Sequence, residues 1–259
     1  MKNKTLIAAA LAGGMFAGVP LTASADEILL TGVVRDFLVS HPDMQVAQKD
    51  FGVRTGLVQD TLGSDGKPLL VEGHNGVRGM ITSEASFNQW FRDIPGVNIS
   101  IPYSIRLDNG QDEEGGLYTF AVEKPNYFFP IDGLGWGDTA RDRNGKYRNF
   151  YFTYEIQTEF TFIPADERDY DMTFSFTGDD DVWVYINGKL AVDIGGVHGQ
   201  ATRSVNLDDA AEDLGLTEGE NYTLDFFFCE RHTTESNFRI ETTLTLVDIP
   251  PTSISPLYD

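Results

Sequence analysis

Three consecutive carboxylates, Asp179, Asp180 and Asp181, stand at the mouth of the apolar run Val182-Trp183-Val184-Tyr185-Ile186, and Gly195, Gly196, Val197 and His198 follow a few residues later. Carboxylates this close repel one another unless something positive sits among them. A hard cation such as Ca²⁺ takes carboxylate and carbonyl oxygens as its preferred ligands. The bland alternative is three exposed aspartates that cap a strand. Asn187-Gly188 is the preferred dipeptide for a two-residue hairpin turn, since both positions tolerate a positive φ. With that turn, Ile186 faces Lys189, Val184 faces Ala191, Val182 faces Asp193 and Asp180 falls opposite Gly195. The aspartates and the 195–198 segment are therefore expected side by side at one end of a sheet.

A second constellation lies downstream. Glu230-Arg231-His232 follows the apolar run 222–228, and Thr233-Thr234-Glu235-Ser236-Asn237 then leads into Phe238-Arg239-Ile240. This reads as a hairpin with a polar, ligand-rich tip. If it opens at the same end as the aspartates, the two loops make one pocket, and Arg231 could neutralise part of the acidic cluster through a bidentate carboxylate pair. His198 and His232 leave a further choice open. Imidazole suits Zn²⁺ or another transition metal rather than Ca²⁺, and the same histidines with Arg231 could form a metal-free hydrogen-bonded network. Trp136, in the glycine-rich stretch 133–137, is the candidate aromatic platform for an apolar sugar face. Cys229, the single cysteine, follows three phenylalanines and is expected to be buried and inert. His41 and His74 are expected at the surface.

The elements that must position these residues are mainly strands. In residues 151–162, Phe152, Tyr154, Ile156, Phe160 and Phe162 fall on one face and Thr153, Glu155, Gln157, Glu159 and Thr161 on the other, which is the period of a half-buried strand. The same alternation recurs in 170–176 and 240–246. Residues 31–38 suit a first strand, and 222–228, apolar on both faces, a central one. A short helix is predicted over 83–91, where a cap-like Ser83 precedes Phe87, Trp90 and Phe91 at helical spacing. Residues 43–51 and 208–214 are weaker helix candidates. Many short strands with few helices predict an all-β, two-sheet β-sandwich of jelly-roll type. The stretch 56–136 is expected to decorate it as long loops.

Residues 1–25 have the charged start, apolar stretch and Ala23-Ser24-Ala25 site of an export signal. Residues 26–249 then suit one β domain, and 250–259 a Pro- and Ser-rich tail. The net charge of −21 over 259 residues would repel nucleic acid and anionic membranes. Neutral ligands, cations and basic partners remain. One cysteine excludes an intrachain disulfide. No Ser-His-Asp signature, phosphate-binding glycine loop or paired-cysteine zinc motif marks an enzyme, and an Asp180/Glu230 glycosidase pair is the weakest reading.

Several blocks together, Phe129-Pro130-Ile131-Asp132-Gly133, residues 152–156, 177–190, 193–199 and 226–240, resemble the fibro-slime domain in this order, over roughly residues 29–247. Cys229 stands where that family tends to carry alanine. Fibro-slime domains in turn look like protective-antigen-type β-sandwich domains of flocculins, adhesins and glycosidase inserts. In the lectin members, two neighbouring aspartates joined by a cis peptide bind one Ca²⁺ that receives sugar hydroxyls. The resemblance implies Asp179 and Asp180 as that pair, with the register open to Asp181, and Asn237 as the further ligand. It implies a secreted carbohydrate-binding or adhesion module, with Ca²⁺ as cofactor and a polysaccharide or cell-surface glycan as partner. Asp179, Asp180, His198, Glu230, His232, Asn237 and Trp136 would line the sugar site. The alternative is a structural extracellular-matrix or surface module whose metal is only stabilising.

Overall fold

Alternation of apolar and polar residues along short segments yields thirteen strands and two α-helices in the computed structural model, which describes residues 27–46, 52–73, 81–110 and 116–251. In chain order these are β1 (Glu27–Phe37), α1 (Glu84–Phe87), β2 (Asn98–Asp108), β3 (Tyr118–Val122), β4 (Ala140–Arg141), β5 (Tyr147–Arg148), β6 (Phe152–Thr161) and β7 (Thr173–Gly178). There follow β8 (Asp181–Ile186), β9 (Lys189–Ile194), β10 (Ala201–Asn206), α2 (Leu207–Leu214), β11 (Asn221–Glu230), β12 (Phe238–Thr242) and β13 (Val247–Asp248). The export signal, His74 and most of the 250–259 tail lie outside the described residues.

The strands form two facing layers, β9-β8-β11-β6-β1-β2 and β3-β12-β7-β10, all neighbours antiparallel. The layers are not separate sheets. A short pairing of β2 with β3 at Asp108 and Thr119 joins them into one continuous sheet that folds over its own core. Phe238 of β12 sits at the centre of that core. Its ring centroid lies 5.2 Å from Phe176 of β7 and 5.2 Å from Phe228 of β11, so one side chain ties both layers together.

The outer face of the first layer carries a second core. Trp183 and Tyr185 of β8 and Phe227 and Cys229 of β11 point there, against Phe87, Trp90 and Phe91. Both faces of β8 are therefore buried, the inner by Val182 and Val184 and the outer by Trp183 and Tyr185. Cys229 is wholly buried and burial pushes its thiol well up, so it is inert. The 56–136 stretch thus does more than decorate. It supplies the cover for this outer face, and it also contains β2 and β3, which are strands and not loops, with apolar residues at every second position (Ile99, Ile101, Tyr103, Ile105 and Leu107; Tyr118, Phe120 and Val122).

The capping signals hold at both helices, but α1 covers only Glu84–Phe87 of the 83–91 expected, and Trp90 and Phe91 follow it in turns. Ser83 caps α1, exchanging hydrogen bonds with Ser86 in a capping box. α2 begins at Asn206, whose side chain accepts from the Asp208 amide at 2.9 Å, and ends on Gly215 at φ 70°. Asn206→Ala is expected to cost about 1 kcal/mol of stability, measurable as a shift in the urea midpoint without a change in slope. Of the helix candidate 43–51, residues 43–46 form turns and bends, and 47–51 lie outside the described residues. His41 is buried there rather than exposed, with one ring nitrogen 3.1 Å from the Gln89 side-chain oxygen. The strand expected over 240–246 ends at Thr242.

Candidate functional site at one end of the sandwich

Three chain segments cross from one layer to the other at the same end. Residues 179–180 connect β7 to β8, 195–200 connect β9 to β10, and 231–237 connect β11 to β12. The Asn187-Gly188 turn, with φ of 53° and 70°, joins β8 to β9 at the far end and so brings the first two of these segments side by side. The hairpin register differs by one residue from the simple count. Ile186 does pair with Lys189, but a bulge at Ala191 then places Val184 opposite Val192, Trp183 opposite Asp193 and Val182 opposite Ile194. The shift has a physical reason. The unbulged register would set Asp193 beside Val182 on the core face, whereas here Asp193 lies on the outer face and accepts from the Trp183 indole at 3.1 Å.

The aspartates meet the 195–198 loop as the topology requires, through two different side chains. Asp181 accepts from the Gly196 amide at 2.5 Å, and Asp180 from the His198 amide at 3.2 Å. The Asp179–Asp180 peptide is cis. Asp179 is held by Asn237, whose amide nitrogens on backbone and side chain both donate to it, the latter at 3.0 Å. The Asn237 side-chain oxygen accepts from the Lys124 amide at 3.1 Å, so in this arrangement Asn237 orients Asp179 instead of presenting an oxygen to a cation.

Asp181 is turned away from the other two. The fully buried Arg231 donates to both of its oxygens, from Nε at 2.5 Å and from Nη2 at 3.3 Å, which makes the expected bidentate pair. Burial works against the charge on Arg231, yet Asp181 beside it holds the guanidinium well up. The guanidinium also lies over the Trp90 ring, 5.2 Å from its centroid, and Trp90 donates to Asp43 at 3.0 Å. Asp181 therefore serves this buried pair and is the wrong member of the triplet to face a ligand.

Asp179 and Asp180 line an open cavity of about 310 Å³ with Arg143, Val197, His198, Gly199, His232 and residues 233–235. Glu230 lies beneath it rather than in its wall. It is fully buried and accepts from the His232 amide at 3.2 Å, and burial together with Asp180 and Asp179 pushes its carboxyl well up. Burial pushes Asp179 up to about 6, with Glu235 adding to the rise, and burial holds Asp180 well above the usual carboxylate range, aided by repulsion from Asp181 and Asp179. Trp136 does not line the cavity. Its backbone amide is pinned to the buried Asp36 at 2.6 Å and the residue is half-buried, so its loop is held by β1. Sequence reasoning missed Arg143, which reaches the cavity from the β4–β5 hairpin and pairs with Glu235. The Asn144-Gly145 turn inside a basic run was the available signal.

A carboxyl raised in the folded state binds its proton more readily there than in the unfolded chain. Asp179 therefore makes the metal-free protein lose stability as pH rises from about 4, the unfolded value, to about 6. The wild type minus Asp179→Asn difference is expected to change by about 2–3 kcal/mol between those limits. Urea unfolding of both proteins in the absence of metal checks this.

Among the described residues, no group of three or more His, Cys, Asp and Glu side chains is arranged to hold a metal ion by itself. Asp179 and Asp180 nevertheless fit a hard cation as two adjacent, desolvated oxygen donors, provided carbonyls, the ligand or solvent complete the shell. His198 and His232 each commit Nδ1 to a neighbouring carbonyl oxygen, at 2.7 and 2.6 Å.

Comparison with known proteins finds partial matches. Residues 161–257, which contain all three crossovers, match the family model described as the PA14 domain. The chain is also similar to proteins of Dictyostelium discoideum. Protein psiQ is 42% identical over 232 residues, covering 86% of this chain and 22% of psiQ. Protein psiR is 40% identical over 230 residues, covering 85% and 22%, and psiD 38% identical over 226, covering 85% and 42%. The chain thus spans less than half the length of each of these relatives. Among solved structures, a PA14 sugar-binding domain from an RTX adhesin aligns over 82% of this chain and 88% of its own, at 11% identity and a TM-score of 0.30.

Proposed function

We propose that this chain carries a non-enzymatic carbohydrate-binding or adhesion module, exported from the cell, whose end cavity binds a polysaccharide or cell-surface glycan through Ca²⁺ held by Asp179 and Asp180. One observation carries the reading. Two adjacent carboxylates are buried at the mouth of an open cavity, and burial and mutual repulsion disfavour their charge until a cation joins them. When bound, the cation would supply coordination sites for vicinal hydroxyls. The chain's own residues position the pair: Asn237 orients Asp179, while the His198 and Arg231 amides hold Asp180. The match of residues 161–257 to the PA14 domain supports the same reading.

The runner-up is a structural surface or matrix module. Its support is the Arg231–Asp181 pair, which closes the loops without a metal. Elemental analysis of the purified protein, combined with a glycan array in calcium and in chelator, separates the two. Glycan binding that disappears with chelator is expected. Calcium binding with no glycan bound would favour the structural module, and binding indifferent to chelator would remove the metal from the mechanism.

A further inference from the structure

We propose that His198 contacts the ligand directly, its Nε2 accepting a hydrogen bond from a ligand hydroxyl and thereby selecting the orientation of the bound sugar. This rests on the carbohydrate reading above and adds a contact that the aspartates do not supply. His198 is among the residues that line the cavity, and it is only 6% exposed. Its Nδ1 lies 2.7 Å from the Gly199 carbonyl oxygen, which can only accept, so Nδ1 carries a proton and donates. In the neutral ring that leaves Nε2 as a lone-pair acceptor. Nε2 is buried and has no protein partner, a position that is costly unless something entering the cavity donates to it. His232, across the same cavity, differs: its Nε2 lies 3.2 Å from the Gln45 side-chain nitrogen.

The chemistry of the wall narrows what can enter. Asp179, Asp180 and Glu235 are acceptors, and the one charged side chain that donates is Arg143, already paired with Glu235. Thr233 and Thr234 add hydroxyls that can donate or accept, so the wall suits a ligand with several O–H groups, as a sugar with free vicinal hydroxyls has. The His198 backbone is fixed as well, because its amide donates to Asp180. The ring is thereby set in a constant relation to the aspartate pair, so the two contacts can read two hydroxyls of one ring.

The test uses the full chain saturated with calcium and titrated calorimetrically with methyl glycosides of mannose, glucose and galactose and their monodeoxy and monofluoro analogues. Fluorine keeps a weak acceptor but removes the donor. His198→Phe keeps a ring and removes the acceptor. The expected result is a loss of about tenfold in affinity for His198→Phe, with an unchanged calcium-induced melting shift. One fluoro analogue should lose about as much on the wild type and nothing further on the variant. His198→Gln, which restores a side-chain oxygen, should recover part of the loss. Binding within twofold of wild type in His198→Phe would overturn the inference and leave the carbohydrate reading standing. A wild type that responds to calcium but binds none of the glycosides would overturn both.

Discussion

Replacing Asp179 and Asp180 together by Asn is expected to abolish the response to calcium while the fold survives. A ligand that binds only the folded state stabilises it by about 2.7 kcal/mol at a hundredfold excess over its dissociation constant. For a domain of this size, that raises the wild-type melting temperature by roughly 5–10 °C. The double variant should show no rise, and calcium-dependent glycan binding should vanish with it. Asparagine keeps the size of each side chain and one acceptor oxygen, so the contacts to Asn237, His198 and Arg231 are only partly lost. Removing two desolvated, mutually repelling carboxyls offsets that loss, and in chelator both proteins should melt within a few degrees of each other. Equal calcium shifts in both proteins would show that the cation binds elsewhere on this acidic chain.

Arg231→Met should give the largest loss of stability. Arg231 and Asp181 are both fully buried, and the substitution leaves Asp181 with the Gly196 amide as its remaining donor. Breaking a buried pair from one side costs about 3–5 kcal/mol, because the other charge stays desolvated without its partner. The melting temperature should fall by roughly 6–20 °C. Asp181→Asn added to the same chain should restore part of that loss, since it removes the stranded charge. A single variant that costs under about 1 kcal/mol, or a double variant no better than the single, would mean that this pair does not close the end of the sandwich. Methionine retains much of the packing against Trp90, so the experiment reads charge more than volume.

The alternation at 152–161 and the apolar run at 222–228 were legible because a strand buried on one face, or on both, writes its burial into every second residue. The serine cap at Ser83 and the Asn187-Gly188 turn were legible for the same local reason. The same period runs through β2 at Ile99, Ile101, Tyr103, Ile105 and Leu107 and through β3 at Tyr118, Phe120 and Val122, so these strands were legible as well, although the Gly, Asn and Asp turns around them suggested loops. The bulge at Ala191 was hidden. It depends on which face Asp193 can tolerate, and that is decided by the core on the other side of the sheet.

For the site, the sequence alone determined which residues could do chemistry and that the aspartates would meet the 195–198 loop, because a tight turn links them through a few residues. Tertiary structure decided the division of labour. Asp181 and Asp180 are chemically identical and adjacent, yet alternation along the strand puts Asp181 on the outer face with Trp183, where Arg231 meets it beside Trp90, and the preceding crossover leaves Asp179 and Asp180 at the cavity. Glu230 went beneath the wall, Trp136 was held by Asp36, and Arg143 arrived from a hairpin distant in sequence. Residue type and spacing carry local geometry. Which of several like charges is neutralised depends on what distant segments bring within about 4 Å, where Coulomb energy and desolvation compete most strongly.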